Sequence, residues 1–423
     1  MVSREQGNAL NTLAVNVTKQ NKYVSDFRYA VQISIYLLKP LGAWPLANDE
    51  TSRFKIAQHR TSMIITMFLM SFLVVPWIAC IVKEKWSAYL IFRTTCPLLF
   101  STTLTVRYLL LLWNQDRLKF CVDHVADDWR CTTIAEDRDI MLTNARIGRT
   151  FGIISVVFIF SCNGLYTTLP ILMPNPINED NVTVRLHPSP SELLVFNAKA
   201  SPVYEIVYII QAASCYVLCS TFCGICSLMA NFVMHVCGQC DVLMSILEEI
   251  VDGGKHISGS IEDRIATAIT RHLRLLRLVS NVSDLFTEIC VMEFMNASCN
   301  IGLICYYIVT DMNNNEPFAL IFMNGFGLVS IIFNMYIFCY IGDLLIERCQ
   351  QVGTACYAIE WYRMPPKKAV ELLMPIAMSQ YPVMLTAGKM ITMTLATFSY
   401  ILKTSMAYFN LLREFISRDI TTT

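Results

Sequence analysis

Residues 63–82 read MIITMFLMSFLVVPWIACIV, and this stretch decides the class of the fold. It carries no charged side chain, and only Thr66 and Ser71 are polar. A bilayer core about 30 Å thick is crossed by about 20 apolar residues in an α-helix. The stretch therefore predicts a membrane-spanning helix over 62–82. Six further apolar windows complete the prediction of an all-α protein with seven transmembrane spans: 89–112, 147–172, 203–236, 285–309, 318–341 and 382–412.

The composition agrees with a chain that faces lipid. Of the 423 residues, 54% are hydrophobic and 16% are charged, whereas about 25% are charged in an ordinary soluble domain. The formal net charge is zero, which gives no support to nucleic-acid binding. The first long apolar stretch begins too late and runs too long for a cleavable signal peptide. It is expected to stay in the protein as its first span.

The distribution of lysine and arginine predicts the orientation in the membrane. On the predicted layout, 23 of these residues lie in the N-terminal segment and in the loops on its side of the bilayer, and six lie on the opposite side. Cytosolic segments carry the excess of positive charge. The N-terminus is therefore expected inside the cell, and seven crossings place the C-terminus outside. This orientation is the reverse of that of a G-protein-coupled receptor.

The predicted outer loop, residues 173–202, holds no cysteine although the chain has 17. A disulfide framework on the oxidising side of the membrane is therefore not expected. The same loop contains the sequon Asn181-Val182-Thr183, and Asn181 is the predicted glycosylation site.

Motifs that carry enzymatic chemistry are missing from the sequence. It shows no phosphate-binding Walker loop, no paired zinc-binding histidines and no nucleophile elbow. The pair Cys237 and Cys240 has metal-ligand spacing, but no second pair accompanies it, so a zinc site or a redox role is disfavoured. We expect a protein that is not an enzyme and that binds no metal or cofactor.

Polar residues form a stripe on the last predicted span. Spacings of 7, 4 and 7 residues place them within about 40° of one another on a helix. The stripe comprises Thr392, Ser399, Lys403 and Asn410. A mid-span lysine is costly unless it faces water or the interior of a bundle. The stripe suits the lining of an aqueous pore, and it also suits packing against neighbouring helices.

Aromatic and sulfur-containing residues cluster near the predicted outer ends of several spans. A concave, apolar site with few polar groups is what a small volatile ligand requires. The predicted ligand-binding residues are Tyr89, Phe92, Cys96, Phe158, Cys162, Tyr166, Tyr208, Gln211, Phe318, Phe322 and Met323. Taken singly, each of them also fits the bundle core or the aromatic belt at the membrane interface.

The predicted cytosolic segments have helical periodicity. Apolar residues recur every three or four positions from Ile265 to Leu276, and again within 367–378. A short helix is expected over 355–361, ended by Pro365-Pro366. These helices form a layer below the membrane that either packs on its own chain or contacts another subunit. The residue pattern does not decide between the two.

The C-terminal sequence Ile401-Leu-Lys-Thr-Ser-Met-Ala-Tyr-Phe-Asn-Leu-Leu-Arg413 resembles the closing signature of the insect odorant receptor family. The preceding Leu385-Thr-Ala-Gly-Lys-Met390 also fits it, and Met406-Ala407 departs from the Tyr-Ser that is common there. The resemblance implies a tetrameric, non-selective cation channel held together by a cytosolic anchor of helices. It also implies odorant binding in the outer half and outer gate side chains at Leu411 and Phe415.

Family members assemble with a shared olfactory co-receptor, and this chain lacks the long insertion of that co-receptor between spans four and five. The resemblance therefore implies an odorant-binding tuning subunit in the plasma membrane, in contact with lipid. A gustatory receptor of the same superfamily, a G-protein-coupled receptor and a membrane-embedded enzyme or transporter are the alternatives. The expected segments are 1–60 (cytosolic), 61–236 (spans one to four), 237–284 (anchor helices), 285–345 (spans five and six), 346–381 (anchor helices), 382–413 (pore-lining span seven) and 414–423 (extracellular tail).

Overall fold

The computed structural model describes residues 23–46, 52–83, 88–172, 187–189 and 201–422, and it describes the side chains in these ranges except at 80–93 and 415–422. The described chain is almost entirely helical. Helix α1 covers 23–38. The other helices are α2 (Arg53–Lys83), α3 (Ala88–Trp113), α4 (Gln115–Cys131), α5 (Ala135–Leu172), α6 (Val203–Glu248), α7 (Ile261–Asn313), α8 (Phe318–Ala358), α9 (Pro366–Ala369), α10 (Leu373–Gln380) and α11 (Leu395–Thr422). Short 3₁₀ turns occupy Trp361–Arg363 and Val370–Leu372.

Six of the described helices are long and apolar enough to cross a membrane, namely α2, α3, α5, α6, α7 and α8. They correspond to the first six windows predicted from the sequence. The seventh predicted span corresponds to α11, whose exposed face carries many polar side chains.

Helix α6 lies at the centre of the bundle. Of its most apolar 18-residue window, 89% is buried, whereas the figure for α2, α3 and α5 is 28%. A helix that is apolar on every side belongs inside a protein rather than at its surface. Small residues let α5 approach it closely, since a Cβ on Gly152 would lie 2.7 Å from the Ser227 hydroxyl oxygen. The other spans are therefore arranged around α6.

Helix α1 packs against residues that the sequence analysis assigned to the membrane. The Ser34 hydroxyl donates to the Ser227 hydroxyl at 3.1 Å, and the Asn231 side-chain amide donates to Ser34 at 3.2 Å. Leu38 is fully buried, and a Cβ on Gly224 would lie 2.6 Å from one of its methyl groups. This part of the 1–60 segment is thus packed into the bundle, which the sequence analysis did not foresee.

Helices α6, α7 and α8 extend well beyond their predicted apolar windows. The periodic stretch from Ile265 and the fifth span are one continuous helix, α7, which begins at a capping box between Ser260 and Asp263. The prediction of a separate short helix over 355–361 was wrong, because α8 continues to Ala358. The predicted helix over 367–378 is present as α9, a 3₁₀ turn and α10.

The segment before α11 is a β-hairpin and not part of the last helix. Strands β1 (Thr386–Ala387) and β2 (Ile391–Thr392) pair antiparallel. Gly388 and Lys389 connect them with positive φ angles of 63° and 60°. Left-handed backbone is incompatible with an α-helix, so a helix spanning 382–412 cannot form.

Candidate functional site

An outer cluster of side chains brings together several of the predicted ligand-binding residues. Cys96 on α3, Cys162 and Tyr166 on α5, and Gln211 and Cys215 on α6 make up this cluster. The Tyr166 hydroxyl lies near the thiols of Cys96 and Cys215, and Cys96 lies near Cys162. Gln211 and Cys215 are buried, and the other three are half-buried. The cluster is apolar apart from one phenol and one amide.

A short piece of the predicted outer loop, His187–Ser189, caps this cluster. The Tyr166 hydroxyl donates to the Pro188 carbonyl oxygen at 2.5 Å, and the Gln211 amide nitrogen donates to the Ser189 carbonyl oxygen at 3.2 Å. The His187 ring lies 4.5 Å from that of Tyr204. Pro188 and Ser189 are both buried. Two neighbouring carbonyl groups of the cap are therefore held by side chains of α5 and α6.

Other predicted ligand-binding residues lie elsewhere. Phe158 stacks on Phe326 at 5.7 Å, and Phe322 stacks on Phe326 at 6.4 Å, which forms an aromatic row between α5 and α8. Phe322 is 51% exposed and Phe318 is 79% exposed, so neither is enclosed within this single chain.

The remaining members of the predicted ligand set are placed as follows. Met323 is half-buried. Tyr208 joins the cap region, where its hydroxyl donates to the Thr167 carbonyl oxygen. Tyr89 and Phe92 lie outside the described side chains.

Tyr306 and Tyr307 on α7 link the outer cluster to α11. Both are buried, and they pack with Leu303 against Cys96 of the cluster and Phe409 of α11. These residues of α7 thus contact both Cys96 and the last helix, so a change in the packing around Cys96 would reach α11 through them.

Helix α11 has one face buried against α7 and an opposite face that no described residue covers. Ile401 and Ser405 are fully buried, and the Ser405 hydroxyl donates to the Ser298 carbonyl oxygen at 3.1 Å. A Cβ on Gly302 would lie 3.0 Å from the Ser405 carbonyl oxygen, so the two helices are in close contact.

The exposed face of α11 carries most of the predicted pore residues. Ser399, Lys403 and Asn410 are all exposed, and Leu411 is 65% exposed. Thr392 is not part of this face. It lies in β2, where its carbonyl oxygen accepts a hydrogen bond from the Thr397 hydroxyl at 2.6 Å, so its predicted position on the helix was wrong. The side chain of Phe415 and the sequon at Asn181 fall outside the description.

An ion pair within the membrane spans was missed by the sequence analysis. Arg107 on α3 contacts Glu293 on α7, and each side chain is 1% exposed. The guanidinium also lies 5.6 Å from the centre of the Phe222 ring on α6. The signal in the sequence was a pair of arginines, Arg93 and Arg107, inside one apolar window and a pair of glutamates, Glu288 and Glu293, inside another. Nothing in the sequence shows that these windows are neighbours.

Cys237 and Cys240 are both buried, and neither forms a disulfide. Among the residues that the structure describes, no group of three or more His, Cys, Asp or Glu side chains is arranged to hold a metal ion.

Comparison with known proteins gives one consistent result. The family model described as 7tm Odorant receptor matches residues 87–406. Odorant receptor 10 of Aedes albopictus is 27% identical over 215 residues, which cover 51% of this chain and 56% of that receptor. Odorant receptor Or2 of Anopheles gambiae is 23% identical over 323 residues, 74% of this chain and 81% of that receptor. The chain therefore aligns with little more than half of the Aedes receptor.

The fold is shared with a solved structure, an insect olfactory receptor from Machilis hrabei in complex with eugenol. The TM-score is 0.79 at 12% identity, and the superposition covers 93% of this chain and 99% of that one. At this identity the similarity establishes the fold, and it confirms the predicted all-α architecture with seven spans.

Proposed function

This chain belongs to the insect odorant receptor family, and from that membership we propose that it is an odorant-binding subunit of a ligand-gated cation channel. The proposed channel is a tetramer in the plasma membrane, formed with the olfactory co-receptor. The membership confirms the family predicted from the C-terminal signature, and it favours the odorant branch over the gustatory and G-protein-coupled alternatives.

The observation that carries the proposal is the exposed polar face of α11. A membrane-spanning helix that faces lipid would expose apolar side chains, but this face carries Ser399, Lys403 and Asn410. Burial of Ile401 and Ser405 against α7 fixes the rotation of the helix. The same face of other subunits, or water, is the environment that such side chains require. Four copies of this face around one axis would line an aqueous pathway.

Cysteine accessibility tests the pore assignment. Ser399→Cys and Asn410→Cys, each expressed with the co-receptor, are exposed to a positively charged, membrane-impermeant methanethiosulfonate during odorant-evoked current. We expect progressive block, because the added charge would lie in the path of the cations. Ile401→Cys and Ser405→Cys are the matched controls, since they lie on the same helix with their side chains buried.

The unsubstituted chain gives the baseline for its native cysteines. Equal block at the exposed and the buried positions, or no block at either exposed position, would remove α11 from the pore.

Exposed apolar side chains between residues 357 and 381, on the side that we propose to be cytosolic, support assembly with other subunits. The exposed fractions are 70% for Tyr357, 69% for Tyr362, 61% for Val370, 60% for Leu373 and 85% for Tyr381. Large exposed apolar areas mark interaction sites on proteins. This observation favours subunit contact over self-packing for the anchor helices. Co-purification with a tagged co-receptor tests it, and Leu373→Glu should reduce the recovered complex more than Lys367→Glu, which changes a neighbouring polar position.

The outer cluster is the proposed odorant site. It joins three thiols and the Tyr166 ring with few polar groups, which suits a small volatile molecule. Tyr166→Ala should change odorant potency more than it changes surface expression. An unchanged potency across an odorant panel would remove the cluster from the ligand site.

A further inference from the structure

The outer cluster contains a buried hydrogen-bond acceptor that has no partner among the described residues. Gln211 is 2% exposed, and its amide oxygen is buried without a hydrogen bond. Buried polar atoms in proteins are almost always paired, so an unpaired amide oxygen in an apolar surrounding is an exception that calls for an explanation.

The orientation of the Gln211 amide is fixed by the cap. Its nitrogen donates to the Ser189 carbonyl oxygen at 3.2 Å, and a carbonyl oxygen can only accept. Rotating the amide by 180° would place two oxygens against each other. The free atom is therefore the oxygen, and it is an acceptor.

This acceptor lies within the outer cluster. The cap residue next to Ser189 is Pro188, which the Tyr166 hydroxyl holds from the opposite helix. Gln211 and Tyr166 thus bind the carbonyl groups of two consecutive cap residues. One turn before Thr167 on the same stretch of α5, Asn163 is 6% exposed, and its amide nitrogen also lacks a partner among the described residues.

From this geometry we infer that the site takes a small, mainly apolar molecule carrying a hydrogen-bond donor, in the first place a hydroxyl group, which donates to the Gln211 amide oxygen. The inference rests on the proposed odorant-binding function and adds the chemical class of the ligand. A hydroxyl is the simplest donor that a small, otherwise apolar molecule can present to this oxygen. Ethers and hydrocarbons of the same shape would leave the Gln211 oxygen unpaired.

The size of the preference follows from one neutral hydrogen bond made in a buried site. Such a bond contributes about 1.4 kcal/mol, which corresponds to about a tenfold difference in affinity. The donor-bearing member of a matched pair should bind about tenfold more tightly than its methyl-capped counterpart.

The test compares phenol with anisole and benzyl alcohol with benzyl methyl ether. Binding is measured as ligand-dependent thermal stabilisation of the purified full chain, and odorant-evoked current is recorded in parallel with the co-receptor present. In the wild type the donor-bearing member of each pair should bind about tenfold more tightly than its partner. In Gln211→Met the ratio of the two affinities should fall towards one.

Two further variants separate loss of the acceptor from loosening of the cap. Tyr166→Phe removes the neighbouring bond to Pro188 but keeps the Gln211 oxygen, so it should shift both members of a pair and preserve their ratio. Ser214→Ala removes a fully buried hydroxyl one turn away that is already bonded to the Ile210 carbonyl oxygen, and it should preserve the ratio as well.

A ratio near one in the wild type, a ratio that survives in Gln211→Met, or no stabilisation by either donor-bearing probe would overturn the inference. Donor-selective binding without any current would instead leave the inference standing and contradict the channel proposal. An odorant-evoked current without donor selectivity would support the channel proposal and contradict the inference about the ligand.

Discussion

The buried pair of Arg107 and Glu293 allows a prediction with an unusual asymmetry. Both side chains are 1% exposed, and the three guanidinium nitrogens have no other hydrogen-bond partner among the described residues. Removing one member of a buried pair leaves an uncompensated charge, at a cost of about 3–5 kcal/mol. The two single substitutions should nevertheless differ in cost.

The difference arises from the ability of each group to become neutral. Arg107→Met leaves a carboxyl group that can take up a proton, which relieves part of the penalty. Glu293→Gln leaves a guanidinium that stays charged at every accessible pH. We therefore expect Glu293→Gln to reach the upper end of the range and Arg107→Met the lower end. The double variant should be more stable than Glu293→Gln alone, because no charge is left buried.

The assay is the thermal unfolding of the detergent-solubilised full chain, followed by the reaction of a fluorogenic thiol reagent with cysteines that are buried in the fold. Glu293→Gln should lower the midpoint by several degrees. Lys255→Met, which breaks an exposed ion pair with Glu136 at 2.7 Å, is the control and should change it little. If Arg107→Met cost as much stability as Glu293→Gln, or if the double variant were less stable than both single variants, the buried charge of Arg107 would not be the source of the difference.

Two other predictions concern the hydrogen bonds of His256 and the start of the last helix. Burial disfavours a charged His256 ring, but 2.8 Å hydrogen bonds to Asp137 and Glu249 raise its pKa above the ordinary value. The contribution of His256 to stability is fully present below about pH 6.5 and is lost as pH rises through the raised pKa. The thermal midpoint of the wild type should therefore fall as pH rises, and the midpoint of His256→Gln should fall less. On α8, a Cβ at Gly342 would overlap a main-chain carbonyl oxygen of the segment before α11, whereas a Cβ at Gly325 meets nothing within 4 Å. Gly342→Ala should therefore destabilise the protein by about 1–3 kcal/mol and Gly325→Ala should not, and equal midpoints for the two variants would contradict the close approach.

The sequence predicted the spans well because the membrane imposes a local rule. Each helix that crosses it needs about 20 apolar residues in a row, and this requirement is visible without knowing any neighbour. The rotation of α11 was predicted for the same reason, since Ser399, Lys403 and Asn410 share one face of a single helix and are all exposed in the structure.

Errors arose where one rule was applied beyond its range. The polar stripe was extended back to Thr392 by helical spacing, although Gly388 lies only four residues before Thr392, inside the predicted span. The glycine adopts a φ of 63°, and a Gly-Lys pair after Thr386-Ala387 was the available turn signal. Hydropathy alone does not distinguish a short hairpin from the first turns of a helix.

The remaining features depend on contacts between distant parts of the chain. Arg107 and Glu293 are 186 positions apart, and the two cap bonds join residues 22 positions apart across a loop. Tyr166 and Gln211 were predicted as ligand contacts from their position near the outer ends of spans. That their hydrogen bonds go to Pro188 and Ser189, and that the Gln211 oxygen is left unpaired, follows only from the packing of the helices.

Whole-cell current tests whether this chain is a subunit of a ligand-gated cation channel. The current is recorded in a heterologous cell that expresses the chain with and without the olfactory co-receptor, across a broad volatile panel and with G-protein signalling blocked. We expect a fast, odorant-dependent cation current that requires both chains and persists under the block. A current that the block abolishes would contradict this expectation, as would silence across the panel when both chains are confirmed at the cell surface.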